Sequence, residues 1–283
     1  MTLLDEIYTG VYEKGLPQNK IQYVLKLKDE KIDYIFLGSS RVQRHIVTDI
    51  VEKKTGKNAI NLGVSGATLD DVYLLLKLMV NNNVKADKVF VQVDYAFNTN
   101  EPLKIVGSEA LPFVKSNAVI KSHLKENPDF KNYIYIPFYR YTKNDFKIGF
   151  REFFSNLRGK QSKEDFEDGF EPTVKRKVQL SKDYSFPDTI ISKNDSFNGI
   201  QELCKANNIE IVYFIAPLCK ELNTDNYIEK LKSKVPNLVD FSSIVSEQEL
   251  FYDCLHLNEE GAEKFTTIFI DSCIINTKQL NKI

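Results

Sequence analysis

Histidine is scarce in this chain, with three residues, His45, His123 and His256, among 283. The four cysteines, Cys204, Cys219, Cys254 and Cys273, lie far apart and form no CxxC pair. That spacing signals neither a zinc site nor a dense disulfide framework, and leaves free thiols as the default. Charge of one sign is lacking too: 38 basic residues face 39 acidic ones, for a formal net charge of −1. Nothing in that balance calls for nucleic acid or an anionic membrane surface as partner. The opening residues contain no apolar run long enough for a signal peptide or a membrane span. The chain therefore reads as cytoplasmic, or as extracytoplasmic if an upstream anchor has been removed. No GxGxxG turn or GxxxxGK[ST] loop follows any candidate strand, which argues against a nucleotide-binding fold. Internal repeats and low-complexity segments are absent.

What the chain has is 42% apolar and 12% aromatic composition, enough for a substantial core. The run Ile35-Phe36-Leu37 ends abruptly in Gly38-Ser39-Ser40-Arg41. Continuously apolar strands are buried on both faces in parallel sheets, whose ligands collect at the strands' carboxyl ends. Apolar residues at helical spacing follow over 45–55 and stop at Gly56. A second short strand is expected at 58–62, and then a helix with Thr68 as cap and Val72, Leu75, Leu76 and Met79 on one face. A third strand, 88–93, closes on Asp94-Tyr95-Ala96-Phe97-Asn98. Strand–loop–helix units in succession predict a parallel α/β sheet.

From 100 to 187 that alternation dissolves into aromatic clusters (Tyr133, Tyr135, Phe138, Tyr139, Tyr141; Phe146, Phe150, Phe153, Phe154) with basic stretches at 158–163 and 175–182. A connection of that length needs structure of its own. It reads as an inserted cap whose aromatics form a small core, or alternatively stack on sugar rings. The alternation then resumes with a helix at 195–207, a strand at 210–216, a helix at 225–234, a strand at 237–241, and a last helix capped by Asn258. Residues 1–32 read as an irregular lead-in around Gly15-Leu16-Pro17 and then a charged helix over 19–31. The expected organisation is a 1–32 lead-in, a core domain made of 33–99 and 188–283, and the 100–187 insertion. The fold class is a three-layer α/β/α arrangement on a five-stranded parallel sheet.

Gly38-Ser39-Ser40 taken alone is either a capped βα turn or an exposed nucleophile. Asp253-Cys254-Leu255-His256 shifts the balance, because a carboxylate three positions before a histidine can orient one imidazole nitrogen and leave the other to take a serine proton. Ser40, His256 and Asp253 are the candidate nucleophile, base and orienting acid. Arg41 either binds an anionic part of a substrate or forms a structural ion pair. Asp94, at a strand end, is a second supporting candidate.

These residues resemble the SGNH, or GDSL-type, hydrolase superfamily over most of the chain outside the insertion. Gly38-Ser39-Ser40 matches its Gly-Asp-Ser block, and Asn61-Leu62-Gly63-Val64-Ser65-Gly66-Ala67-Thr68 matches its Asn-x-Gly-x-Ser-Gly-x-Thr loop. Asp253 and His256 match its Asp-x-x-His block before a terminal helix. The resemblance implies a flavodoxin-like SGNH fold, Ser40 as nucleophile, and the backbone N–H groups of Ser40 and Gly66 as oxyanion donors. It also implies acyl hydrolysis or O-acyl transfer on an ester-bearing small molecule or polysaccharide, with no metal or organic cofactor.

The chain departs from the family at two places. Ser39 replaces the aspartate of Gly-Asp-Ser, a variant similar to those in SGNH-like proteins that acylate or deacylate cell-envelope polymers, including the D-alanyl lipoteichoic acid transfer family. Val93-Asp94-Tyr95-Ala96 stands where Gly-x-Asn-Asp is expected, so the side-chain oxyanion donor is missing unless Asn98 or an insertion residue replaces it. Losing one such donor costs about 10² to 10³ in kcat. The alternative is a catalytically impaired member of the fold that binds polysaccharide or serves in assembly.

Overall fold

The structure is a computed structural model that describes residues 1–101, 105–173, 185–222 and 226–275. The basic stretch 175–182 lies outside the described residues. Five strands, β1 (Lys31–Leu37), β2 (Ala59–Asn61), β3 (Lys85–Gln92), β4 (Glu210–Ile215) and β5 (Val239–Asp240), form one sheet in the order β2-β1-β3-β4-β5. Every pairing is parallel, with Ile35 beside both Ile60 and Val89, and Val91 beside Tyr213. Helices flank this sheet, giving a mixed α/β fold consistent with three layers. The chain divides into two compact units, one of Met1–Glu30, Asp70–Val84 and Glu101–Glu164, the other of Lys31–Leu69, Lys85–Asn100 and Asp165–Ile283.

The second unit contains the sheet. β1 and the carboxyl-terminal part of β3, Lys88 to Gln92, are largely buried, as expected for parallel strands covered on both faces. On one face Phe36, Phe90, Phe214 and Phe241 surround Phe269 of the terminal helix Glu259–Ile270, with ring centroids 4.9 to 5.8 Å from it. Asn258 caps that helix as expected, accepting from the Gly261 N–H. On the other face Phe197, from the helix Asp195–Ala206, meets Tyr213 of β4 at 4.8 Å.

Of the helix expected over 45–55, Thr48–Thr55 forms, and a separate short helix, Ser40–Gln43, precedes it. The late start has a cause in the hydrogen bonds: Asn61 Nδ2 donates to the carbonyls of Val42 and Ile46 (2.8 and 2.9 Å), and Thr266 Oγ1 donates to that of His45 (3.0 Å). With the His45 and Ile46 carbonyls taken by side chains, the ladder of the second helix starts at the Val47 carbonyl, which accepts the Val51 N–H at 3.3 Å. Gly56 ends the second helix in the left-handed conformation.

The first unit is helical. Residues 2–14, expected to be irregular, form the helix Thr2–Lys14, whose Asp5, Tyr8 and Tyr12 are buried at helical spacing. Tyr8 stacks on Phe153 at 3.9 Å, and Asp5 pairs with the fully buried Arg140 at 3.0 Å and with Lys115 at 2.9 Å. The expected helix at 19–31 covers only Lys20–Lys26. Tyr133, Tyr141, Ile148 and Phe153 are buried, whereas Tyr135, Phe146 and Phe150 are exposed.

Glu109, buried in this unit, has its carboxyl pushed up to about 7; burial is the main cause, Lys147 at 3.2 Å offsets it in part, and Asp71 and Glu164 add to the rise. An acid whose folded pKa is raised contributes stability that is complete below its unfolded value of 4.5 and fades as pH climbs to about 7. The wild-type urea midpoint should therefore fall between pH 5 and pH 8 by the equivalent of about 3 kcal/mol. Glu109→Gln should flatten that slope, and parallel pH profiles for the two proteins would refute this role for Glu109.

Candidate active site

The site lies wholly within the sheet-bearing unit, at the carboxyl ends of β1 and β3. Past Leu37 the chain turns at Gly38, where a Cβ would approach Val42 Cγ2 to 2.6 Å and Gln92 Cβ to 2.8 Å, so only glycine fits. Ser39 caps the short helix Ser40–Gln43 by accepting from the Arg41 N–H at 3.3 Å. Ser40 is thereby held at the first helical position. Its Oγ lies 2.8 Å from Nε2 of His256.

His256 belongs to the loop before the terminal helix. Its Nδ1 lies 2.9 and 3.0 Å from the two carboxylate oxygens of Asp253. Asp253 Oδ1 also accepts the backbone N–H groups of Leu255 and His256, at 2.8 and 2.9 Å. Burial works to raise the Asp253 carboxyl, but the hydrogen bond and charge of His256 and these two N–H groups outweigh it and hold its pKa below the usual value. An ionised carboxylate only accepts, so Nδ1 carries the imidazole proton and Nε2 faces the serine hydroxyl as acceptor. Ser40, His256 and Asp253, the candidate nucleophile, base and orienting acid, are thus brought within hydrogen-bond reach of one another in that order.

The default of free thiols holds for two cysteines and fails for the other two. Cys204 and Cys273 are free and buried, but Cys219 and Cys254 form a disulfide. The loop after β4 and the Asp253–His256 loop converge, as the Cys219 N–H donating to the Cys254 carbonyl at 3.1 Å also shows, and a pair 35 residues apart meets there. Cys254 sits between Asp253 and His256, so the bond ties the histidine loop to the end of β4. Glu221 lies close enough for its carboxylate and the two sulfurs to fall within 4.8 Å. With the sulfurs bonded to one another, that cluster offers no thiolate to a metal.

Arg41 and Asp94 form a buried ion pair at 2.7 Å, each 1% exposed as a residue. Arg41 also donates to the carbonyls of Ala216 and Pro217. Of the two readings of Arg41, the ion pair is what the structure contains. Asp94 accepts from Gln92 Nε2 at 2.5 Å and from the Ala96 N–H at 3.0 Å. Gln92 Oε1 in turn accepts from both the N–H and the hydroxyl of Ser39, at 3.0 and 2.8 Å. A continuous polar chain of Ser39, Gln92, Asp94 and Arg41 therefore joins the ends of β1, β3 and β4 beneath the nucleophile.

The two backbone donors expected for an oxyanion are the N–H groups of Ser40 and Gly66. Among the described residues, no backbone carbonyl takes up the N–H of Ser40 or of Gly66. Asn98, the candidate replacement for the third donor, is engaged by neighbouring backbone: its Nδ2 donates to the Thr189 carbonyl at 2.6 Å, and its Oδ1 accepts from the Ile191 N–H at 3.2 Å. Asn61 is engaged by Val42, Ile46 and the Gly63 N–H.

Three contributors were not singled out from sequence: Gln92, Gln43 and His45. Gln92 did leave a signal, being the lone amide in Val89-Phe90-Val91-Gln92-Val93 at a strand's carboxyl end. His45 Nε2 accepts the N–H of Leu257, the residue after the candidate base, at 3.0 Å. Burial, and after it the electrostatic influence of Arg41, His256 and Arg44, push the His45 pKa well below the usual value, so its imidazole is neutral and suited to accept.

No family profile matches the chain, and no curated protein matches it. Among solved structures, the chain is similar to one from Streptococcus pneumonia described as "a putative platelet activating factor". Identity to it is 13%, the TM-score is 0.41, and the match covers 95% of this chain and 93% of that one. A likeness of that size carries no argument about activity.

Proposed function

We propose that this protein is a serine acyl hydrolase or O-acyltransferase of the SGNH type, acting on an ester carried by a carbohydrate or cell-envelope polymer. The observation that carries the proposal is the 2.8 Å approach of Ser40 Oγ to His256 Nε2, with Asp253 behind the imidazole. Nucleophile, base and orienting acid within hydrogen-bond reach are the geometric requirement for an activated serine.

In the first half-reaction Ser40 Oγ bonds to the ester carbonyl carbon as its proton passes to His256 Nε2. Asp253 stabilises the imidazolium, and the N–H groups of Ser40 and Gly66 meet the oxyanion. Collapse breaks the bond to the leaving alcohol, which takes the proton from His256. Water, or a sugar hydroxyl in a transferase, then attacks the acyl-serine through the same base and regenerates Ser40. The route needs no organic cofactor.

The Cys219–Cys254 disulfide supports an extracytoplasmic site of action over a cytoplasmic one, because such bonds persist in oxidising compartments. That setting suits a polymer substrate. A second reading, a polysaccharide-binding or assembly protein that has lost catalysis, draws on the missing side-chain oxyanion donor. An alkyl fluorophosphonate separates the two, since it requires an activated serine. The intact protein should gain one probe mass, located on Ser40, and Ser40→Ala should gain none. A folded wild type that stays unlabelled would favour the binding reading.

A further inference from the structure

With the third-block side-chain donor absent, the candidate oxyanion hole consists of two backbone N–H groups on separate segments. Ser40 is on the short helix, and Gly66 is on the loop after β2. What fixes their separation decides whether both can meet one oxygen. Gly63 crosses the helix so closely that a Cβ would overlap the backbone of Gln43 and approach Val42 Cβ to 2.9 Å. The Val64 N–H then donates to the Gly38 carbonyl at 3.0 Å. Val64 to Ala67 form a turn closed by the Ala67 N–H on the Val64 carbonyl at 2.9 Å, with Gly66 at φ +78°. That is the third position of a type II turn, which favours glycine.

A turn joined to its neighbours only at its ends can still swing about them. The contact that stops this one comes from Gln43. Its Oε1 accepts the Ser65 N–H at 3.1 Å and the Ser65 hydroxyl at 2.9 Å. Gln43 stands three residues after Ser40 on the same helix, hence on the same side. The Gly66 N–H lies on the Ser65–Gly66 peptide, one φ/ψ pair beyond the held Ser65 N–H, so anchoring Ser65 at both its N–H and its hydroxyl limits how far that peptide can swing.

We infer that Gln43 is a positioning residue that locks the Gly66 donor against the Ser40 donor, compensating for the absent third-block asparagine. The inference rests on the acyl-transfer reading above and adds to it a residue that nothing else assigns. Its chemistry is that of an acceptor only: Gln43 holds the loop that stabilises charge in the transition state and does not touch the substrate.

The test is Gln43→Met, which keeps length and volume and removes the acceptor. Misplacing one oxyanion donor should lower kcat on a short-chain p-nitrophenyl ester by about 10- to 100-fold with KM nearly unchanged. Affinity for an alkyl boronic acid, whose tetrahedral adduct on Ser40 mimics the transition state, should weaken in parallel. Ser65→Pro removes both donors from the other side, at a turn position that accepts proline, and decides the matter should Gln43→Met fail to fold. The double variant should cost no more than the worse single one, since both break the same contact. Unchanged kcat and boronate affinity in the folded variants, or equal losses in kcat, 1/KM and melting temperature, would overturn the inference. A wild type that neither turns over ester nor accepts the fluorophosphonate would instead remove the reading beneath it.

Discussion

His256→Ala is expected to lower kcat/KM for a short-chain ester by about 10⁴-fold while the protein stays folded. His256 Nε2 is the proposed base, within hydrogen-bond reach of Ser40 Oγ, and His45 and Asp94 are engaged elsewhere. His45 is the nearest imidazole, with its ring centroid 6.2 Å from that of His256, and its Nε2 is occupied by the Leu257 N–H. Asp94 is locked in its ion pair. The side chain of His256 is partly exposed, so truncating it removes little packing. Asp253→Asn should approach the same loss by a different route, since an amide in that place can stabilise the other tautomer and cannot balance the imidazolium. Steady-state kinetics with active-site titration would check both. A His256→Ala enzyme keeping a tenth or more of wild-type kcat/KM would mean that the contact seen is not the reactive one.

The largest expected effect on stability comes from Arg41→Met. That change leaves the Asp94 carboxylate almost wholly out of water with no counter-charge, and removes the donors to the Ala216 and Pro217 carbonyls. Breaking one partner of a buried pair typically costs about 3–5 kcal/mol, whereas replacing both with apolar groups of similar size is often close to neutral. Gln92 and the Ala96 N–H still donate to Asp94, which places the expected loss toward the lower end of that range. Urea denaturation should therefore show a loss of about 3 kcal/mol for Arg41→Met and partial recovery in Arg41→Met/Asp94→Leu. A stable single variant with altered KM for anionic esters would contradict the buried structural role and restore Arg41 as a substrate-binding group.

Much of the sheet could be read directly from the chain, because β-branched and aromatic runs ending at Gly38, Asp94 and Pro217 have few other uses. The meeting of Ser40 with His256 was legible for a chemical reason: a strand-end serine and an Asp-x-x-His turn are each incomplete alone. What stayed hidden depends on geometry between segments. The Cys219–Cys254 bond needs two loops to converge, and no spacing rule reports that. The start of the helix at Thr48 rather than at His45 depends on where the Asn61 amide and the Thr266 hydroxyl land. The Thr2–Lys14 helix was missed although Asp5, Tyr8 and Tyr12 recur at helical spacing, because the exposed Leu3, Leu4 and Ile7 blur its polar face. β5 contracted to two residues at the sheet edge, where one neighbour rather than two holds a strand.

Nucleophile and base stand 216 positions apart, which gives the protein an order of assembly as well as a shape. A ribosome extending the chain at about 5–20 residues per second would release the hydroxyl roughly 10–40 s before it had made the imidazole. Throughout that interval the serine has no base to take its proton. Under the proposed mechanism the newborn polypeptide is therefore chemically silent, and a fragment that stops short of the final loop would be as harmless to cellular esters as any unfolded peptide.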